Sequence, residues 1–163
     1  MRKLSVLIIM LLIVVVFEFG LSPSEKTASA TSLFNQDSLE QDRLKYMDEV
    51  MASIKGKEKL PADSVFKNIK VIKGKSSVSA EHLLWMMNWG WSAELGVSCS
   101  HCHVIGKWES DSLDEKNIAR GMWNMRVKIN DEILPGITGK SYDNDPAVSC
   151  ITCHRGKPVP DAK

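Results

Sequence analysis

Apolar and polar positions alternate along this chain in patterns that change from one stretch to the next. Behind Arg2 and Lys3, residues Leu4 to Phe17 form an apolar run broken only by Ser5. Between Asp37 and Ile54, the positions Leu44, Met47, Val50, Met51 and Ile54 recur at helical spacing. Charged residues between them predict a solvated surface helix, closed by Gly56 and Pro61. The stretch Val65–Ile72 alternates roughly and predicts a short strand or extended segment, followed by a loop at Gly74. Ser79 can cap a helix from Ala80, with Glu81 well placed for the helix dipole. That helix carries His82, Leu83, Leu84, Trp85, Met86, Met87 and Trp89, and Gly90 is expected to loosen its end. Ser112-Leu113-Asp114-Glu115 reads as a capping box opening a further helix that stops at Pro135-Gly136. Ile118, Met122, Met125, Ile129 and Ile133 form one apolar stripe along it. A polar loop over 135–149 and an extended tail from Arg155, with two prolines, complete the pattern.

The first apolar run is a basic-then-apolar leader of the kind that exports a protein, with Ala28-Ser29-Ala30 as a cleavage site. Glu18 lengthens the polar stretch before Ala30, so an uncleaved membrane anchor over residues 4–21 stands as the alternative. Either way the remainder is expected outside the cytoplasm, in the periplasm or on the outer face of the cytoplasmic membrane. The expected organisation is a leader or anchor over 1–30, an N-terminal helix and linker over 31–64, and a main domain over 65–163. Composition adds exclusions. At 163 residues, 44% hydrophobic and 25% charged, the chain is too apolar for a disordered tail protein. A net charge of +1 gives no basic excess for nucleic acid.

The candidate chemistry lies in two five-residue motifs, Cys99-Ser100-His101-Cys102-His103 and Cys150-Ile151-Thr152-Cys153-His154. Both read C-x-x-C-H, the attachment signature of c-type haem. Two thiols at this spacing meet the two vinyl groups of one porphyrin as thioethers, and the adjacent histidine falls under the iron. The two motifs take all four cysteines of the chain. A zinc site built from two C-x-x-C knuckles would want them about 15–20 residues apart. Cys102 and Cys150 are much more widely separated, and neither zinc nor a pair of disulfides accounts for a histidine after each motif. The pattern predicts two haem c groups, held through Cys99, Cys102, Cys150 and Cys153 with His103 and His154 as axial ligands. The methionines on the helices before each motif, Met86 and Met87, Met122 and Met125, are candidates for the opposite axial positions. His82 is a further candidate, and His101 is expected to face solvent.

Val65-Phe66-Lys67-Asn68-Ile69, Leu95-Gly96-Val97-Ser98-Cys99, Ala119-Arg120-Gly121-Met122 and the stretch from Cys150 through Arg155-Gly156 to Pro158 resemble the photosynthetic reaction-centre cytochrome c subunits and their shorter exported relatives. The resemblance implies a mainly α, multihaem cytochrome c fold with two helix–turn–CxxCH haem-binding segments. It implies Met122 as the ligand of the second haem, with Met125 as core. For the first haem it points to the adjacent pair, of which Met87 is favoured over Met86. The reaction-centre subunits hold four haems where this chain has two motifs, and it lacks a lipid-anchoring cysteine after its leader.

The expected function is that of a one-electron carrier between redox partner proteins, not an enzyme. A small dihaem redox enzyme of peroxidase or nitrogen-oxide reductase type, or a haem-bearing subunit or sensor in a larger complex, is the alternative. Trp85, Trp89 and Trp123 are expected to pack on the porphyrins.

Overall fold

A computed structural model describes residues 23–161 other than 73, 75, 76 and 140–146. The apolar leader before Pro23 and the middle of the 135–149 loop lie outside the described residues. Two compact units divide the chain, Met1–Asn35 and Gln36–Lys163, and the side chains discussed below belong to the second. Among the described residues the fold is helical with no strand, and only isolated bridges such as Pro61 with Ser79 occur. No helix among them is long and apolar enough to cross a membrane.

Helix α1 spans Pro23–Ser53 and so begins earlier than the apolar periodicity suggests. Its first residue is proline, whose missing N–H costs nothing at that position, and no glycine or proline follows until Gly56. Ile54, just past its end, is buried as the apolar face suggests, whereas the burial of Arg43 departs from a solvated set of charges. Of the strand or extended segment expected over 65–72, the extended reading fits. Val65 ends the short helix α2, Ala62–Val65, and Phe66 leaves it in extended conformation with no strand pairing among the described residues. Asn68 takes a left-handed conformation (φ 64°), held by its Nδ2–H bonds to the Glu109 carbonyl at 2.6 Å and the Asp111 carboxylate at 2.8 Å.

Ser79 caps α3 (Ala80–Trp85) as its sequence suggests, its hydroxyl accepting from the His82 N–H at 3.2 Å. Gly90 does not end the helix. The backbone widens into a π-helical turn over Met86–Ser92 and resumes as α4, Ala93–Leu95, before Gly96 stops it in the left-handed region. The residues on the inner face, Leu83, Met87, Trp91 and Leu95, are four apart. An ordinary α-helix would rotate such a row steadily away from one side, and a wider turn keeps it aligned. Packing of Leu83, Met87 and Trp91 in the apolar cluster with Ala62 and Ile72 outweighs the roughly 1 kcal/mol propensity cost of one glycine.

Helix α5 spans Asp114–Lys128. The expected capping box does not form: Leu113 holds the cap position without a side-chain bond, and the Ser112 N–H goes to Ser110 Oγ instead. A second π turn, Ile129–Ile133, carries the helix on into α6, Leu134–Thr138. Pro135, expected to stop the helix, lies within this continuation, and the chain stays helical through to Thr138. The largest departure is in the apolar stripe. Ile118, Met122, Met125 and Ile133 are exposed, whereas Lys116, Ala119, Arg120 and Trp123 face inward. Helix α7, Cys150–His154, is the second motif itself.

Candidate haem-binding site

A cavity of about 440 Å³ opens among α1, the 65–72 segment, the α3–α4 helix, the first cysteine motif and α5. That is within the usual range of a small-molecule or cofactor site. Its walls are largely apolar, with Val50, Leu83, Met87 and Trp91 on one part and Trp123 on another. Trp91 and Trp123 meet edge to face with ring centroids 5.2 Å apart.

The first motif supplies Cys99, Cys102 and His103 to this cavity. A short 3-10 turn, Cys99–His101, folds the thiols toward the same side, and the His103 N–H closes the loop on the Cys99 carbonyl at 3.0 Å. His103 Nδ1 lies 3.0 Å from the Trp108 carbonyl oxygen. A carbonyl can only accept, so Nδ1 carries the proton and Nε2 keeps its lone pair free. Burial pushes the His103 pKa down, which favours the neutral, ligating form, against the opposing pull of the Trp108 carbonyl. Burial also pushes the Cys99 and Cys102 thiols up.

At one rim, Asp111 accepts from Lys70 at 2.6 Å and from Arg120 and Asn68, each at 2.8 Å. These partners, the Lys70 ammonium first, hold its carboxyl well below the usual carboxylate range. Arg120 also donates to the Asn68 carbonyl at 3.2 Å, and Lys116 to the Trp108 and Ser110 carbonyls. The network fastens the His103–Trp108 loop to the 65–72 segment.

The second motif does not line this cavity. His154 nevertheless repeats the device of His103, with Nδ1 donating to the Lys157 carbonyl at 2.9 Å. Burial, with the Glu94 carboxylate beside it, raises the Cys150 thiol, whereas Cys153 is exposed. Glu94 ties α4, the helix before the first motif, to the second motif. Its carboxylate accepts from the Ile151 N–H at 2.9 Å and its backbone carbonyl from the Gly156 N–H at 3.1 Å. Gly96 makes this approach possible: a Cβ there would lie 2.1 Å from the Gly156 carbonyl oxygen, and its φ is +64°.

Of the other candidate residues, Met87 lines the cavity and Met86 does not. Met122 lies outside it and is 40% exposed. His82 also lies outside and stacks on Trp85. Trp85 and Trp89 do not reach this cavity, and their neighbour Trp91 does. Sequence reasoning missed Arg43, Met47 and Asn88 as lining residues. The signal was present for the first two, since Arg43, Met47, Val50 and Ile54 share one helical face. Met47 Sδ accepts from Asn88 Nδ2 at 3.4 Å.

A family model described as the photosynthetic reaction centre cytochrome C subunit matches residues 26–163. The chain belongs to that family. It is 31% identical over 99 residues to a photosynthetic reaction center cytochrome c subunit of Thermochromatium tepidum, covering 61% of this chain and 22% of that one. It is 32% identical over 91 residues to cytochrome c-554 of Chloroflexus aurantiacus, covering 56% and 20%. A photosynthetic reaction center cytochrome c subunit of Rubrivivax gelatinosus matches at 32% over 101 residues, covering 61% and 25%. The chain thus spans a quarter or less of the length of these relatives.

Membership implies a c-type cytochrome with covalently bound haem, and the residues around the cavity suit that group. Two thiols and an imidazole with a free Nε2 open onto one apolar space. No three His, Cys, Asp or Glu side chains converge as a metal site among the described residues, so the four cysteines are not gathered as zinc knuckles would be.

Proposed function

We propose that this protein is an exported dihaem c-type cytochrome that carries single electrons between a donor and an acceptor protein. The observation that carries the proposal is the pairing of each C-x-x-C-H motif with a backbone carbonyl that takes the histidine Nδ1–H. Both Nε2 atoms are thereby oriented and free, as an axial ligand needs.

The haem iron would supply a one-electron couple. The chain's own residues do the rest. Cys99 and Cys102 hold one group as thioethers, and Cys150 and Cys153 the other. His103 and His154 each present Nε2. Met87 is the thioether for the first iron, because the other methionine lining the cavity, Met47, already has its sulfur engaged by Asn88. Met122 is the counterpart for the second iron, on the exposed apolar face of α5. With haem held there, the apolar walls would exclude water, and Met/His ligation would raise the potential. The haem-binding unit includes the C-terminal half of α1, and residues 1–30 serve as export leader or anchor.

Mass measurement of the exported protein tests this reading. Two haem masses per chain are expected, and a chain with none would refute it. Saturated irons predict little binding of carbon monoxide by the reduced protein, and rapid binding at both haems would favour an enzyme or gas sensor instead.

A further inference from the structure

Arg43 is a buried cation with no role in the account above. It is 6% exposed and lines the cavity beside Cys99, Met47 and Asn88. Its hydrogen bond among the described residues runs from Nε to Asn88 Oδ1 at 3.2 Å. Asn88, 3% exposed, is fixed in turn through its Nδ2–H to Met47 Sδ. No carboxylate lies within ion-pair distance of the guanidinium among the described residues. The other cations lining the cavity differ: Lys57 and Lys67 are exposed to water, and the remaining three have a counter-charge. Arg120, Lys116 and Lys70 all share Asp111, and two of them also reach backbone carbonyls.

A guanidinium cannot shed its charge by losing a proton, so burial without a counter-charge is strongly unfavourable. Asn88 fixes the Nε edge and leaves the Nη groups for whatever fills the cavity. A planar fork of N–H donors matches the two oxygens of a carboxylate. We infer that Arg43 is the carboxylate-binding subsite of this cavity, pairing with a propionate at the edge of the porphyrin held by Cys99 and Cys102. The inference rests on the haem reading above and adds a specific role for α1. The N-terminal helix closes on the first haem through an ion pair as well as through Met47 and Val50.

The pair has an electrical consequence. The oxidised iron carries one more positive charge than the reduced iron, so a fixed cation nearby favours reduction. The test uses the full haem-bearing protein, Arg43→Gln and Arg43→Lys, with haem content checked by mass. In a redox titration Arg43→Gln should shift one of the two waves to lower potential and leave the other in place. Arg43→Lys should restore most of the shift. A haem-bearing Arg43→Gln protein with both waves unchanged overturns the inference alone, whereas a wild-type chain without haem overturns the functional reading beneath it. Should Arg43→Gln fail to accumulate, resonance Raman spectra of wild type and Arg43→Lys decide. A shifted propionate bending mode supports the pairing, and an unshifted one overturns it.

Discussion

The two C-x-x-C-H segments share a motif, a histidine device and a preceding helix with a π turn, yet their surroundings differ. Cys99, Cys102 and His103 open into a cavity walled by residues from positions 43 to 123. The second segment leaves Ile151 and Cys153 exposed, and the helix before it exposes Ile118, Met122, Met125 and Ile133. The motif fixes only the thiol spacing and the histidine after it. The first folds as a 3-10 turn and the second as an α-helix, and the carbonyls for Nδ1 come from Trp108 and Lys157 beyond each motif. Enclosure comes from distant chain, and among the described residues this cavity takes in the first segment and not the second.

This contrast predicts unequal consequences for equal changes. The largest concerns the cysteines. Replacing Cys99 and Cys102 with Ala should abolish the cooperative thermal transition seen by circular dichroism. Replacing Cys150 and Cys153 should leave a folded chain one haem lighter by mass. Equal loss in both would break the distinction between an enclosed and an open half.

Next is the junction between the halves. Gly96→Ala forces a Cβ against the Gly156 carbonyl and into a left-handed conformation, and should cost about 2–4 kcal/mol in a denaturant titration. Stability within error of wild type would mean that the motifs are not locked together there. Met87→Ala should open the first haem to carbon monoxide and Met122→Ala the second, whereas Met86→Ala should open neither. Spectra of the reduced proteins with the gas would sharpen which helix serves which iron.

A smaller effect belongs to Asp111, which anchors only the enclosed half. Its folded-state pKa is depressed, so its ion pairs contribute stability above the unfolded value of about 3.9 and lose it as pH falls toward the folded value. Asp111→Asn should therefore lower Tm at pH 7, with the difference from wild type closing below about pH 4. The smallest effect is expected at the exposed Lys59–Glu81 pair, where Lys59→Ala should change stability by less than about 1 kcal/mol.

Much of the candidate site was legible because each C-x-x-C-H motif is written in adjacent residues. Cys99 to His103 and Cys150 to His154 need no tertiary information to be recognised, nor does the Ser79 cap or the helical face running from Met47 to Ile54. Other features were hidden by their dependence on distant contacts. Ser112 had the right neighbours for a capping box, but Ser110 took its N–H. Gly90 had the propensity to end a helix, but packing of Leu83, Met87 and Trp91 carried the chain through it in a π turn. Arg43 looked like one of many surface charges on an amphipathic helix until the fold buried it.

The sequence by itself carried the candidate chemistry: two C-x-x-C-H motifs, methionines on the helices before them, and a mainly helical chain. Covalent spacing is local, and local order survives any folding. The tertiary structure decided which face of each helix turns inward, that Met87 rather than Met86 reaches the cavity, that Glu94 on α4 binds the second motif, and that a buried arginine lies beside Cys99. Those outcomes depend on close packing between segments tens of residues apart, where a rotation of one helix exchanges a surface position for a core one.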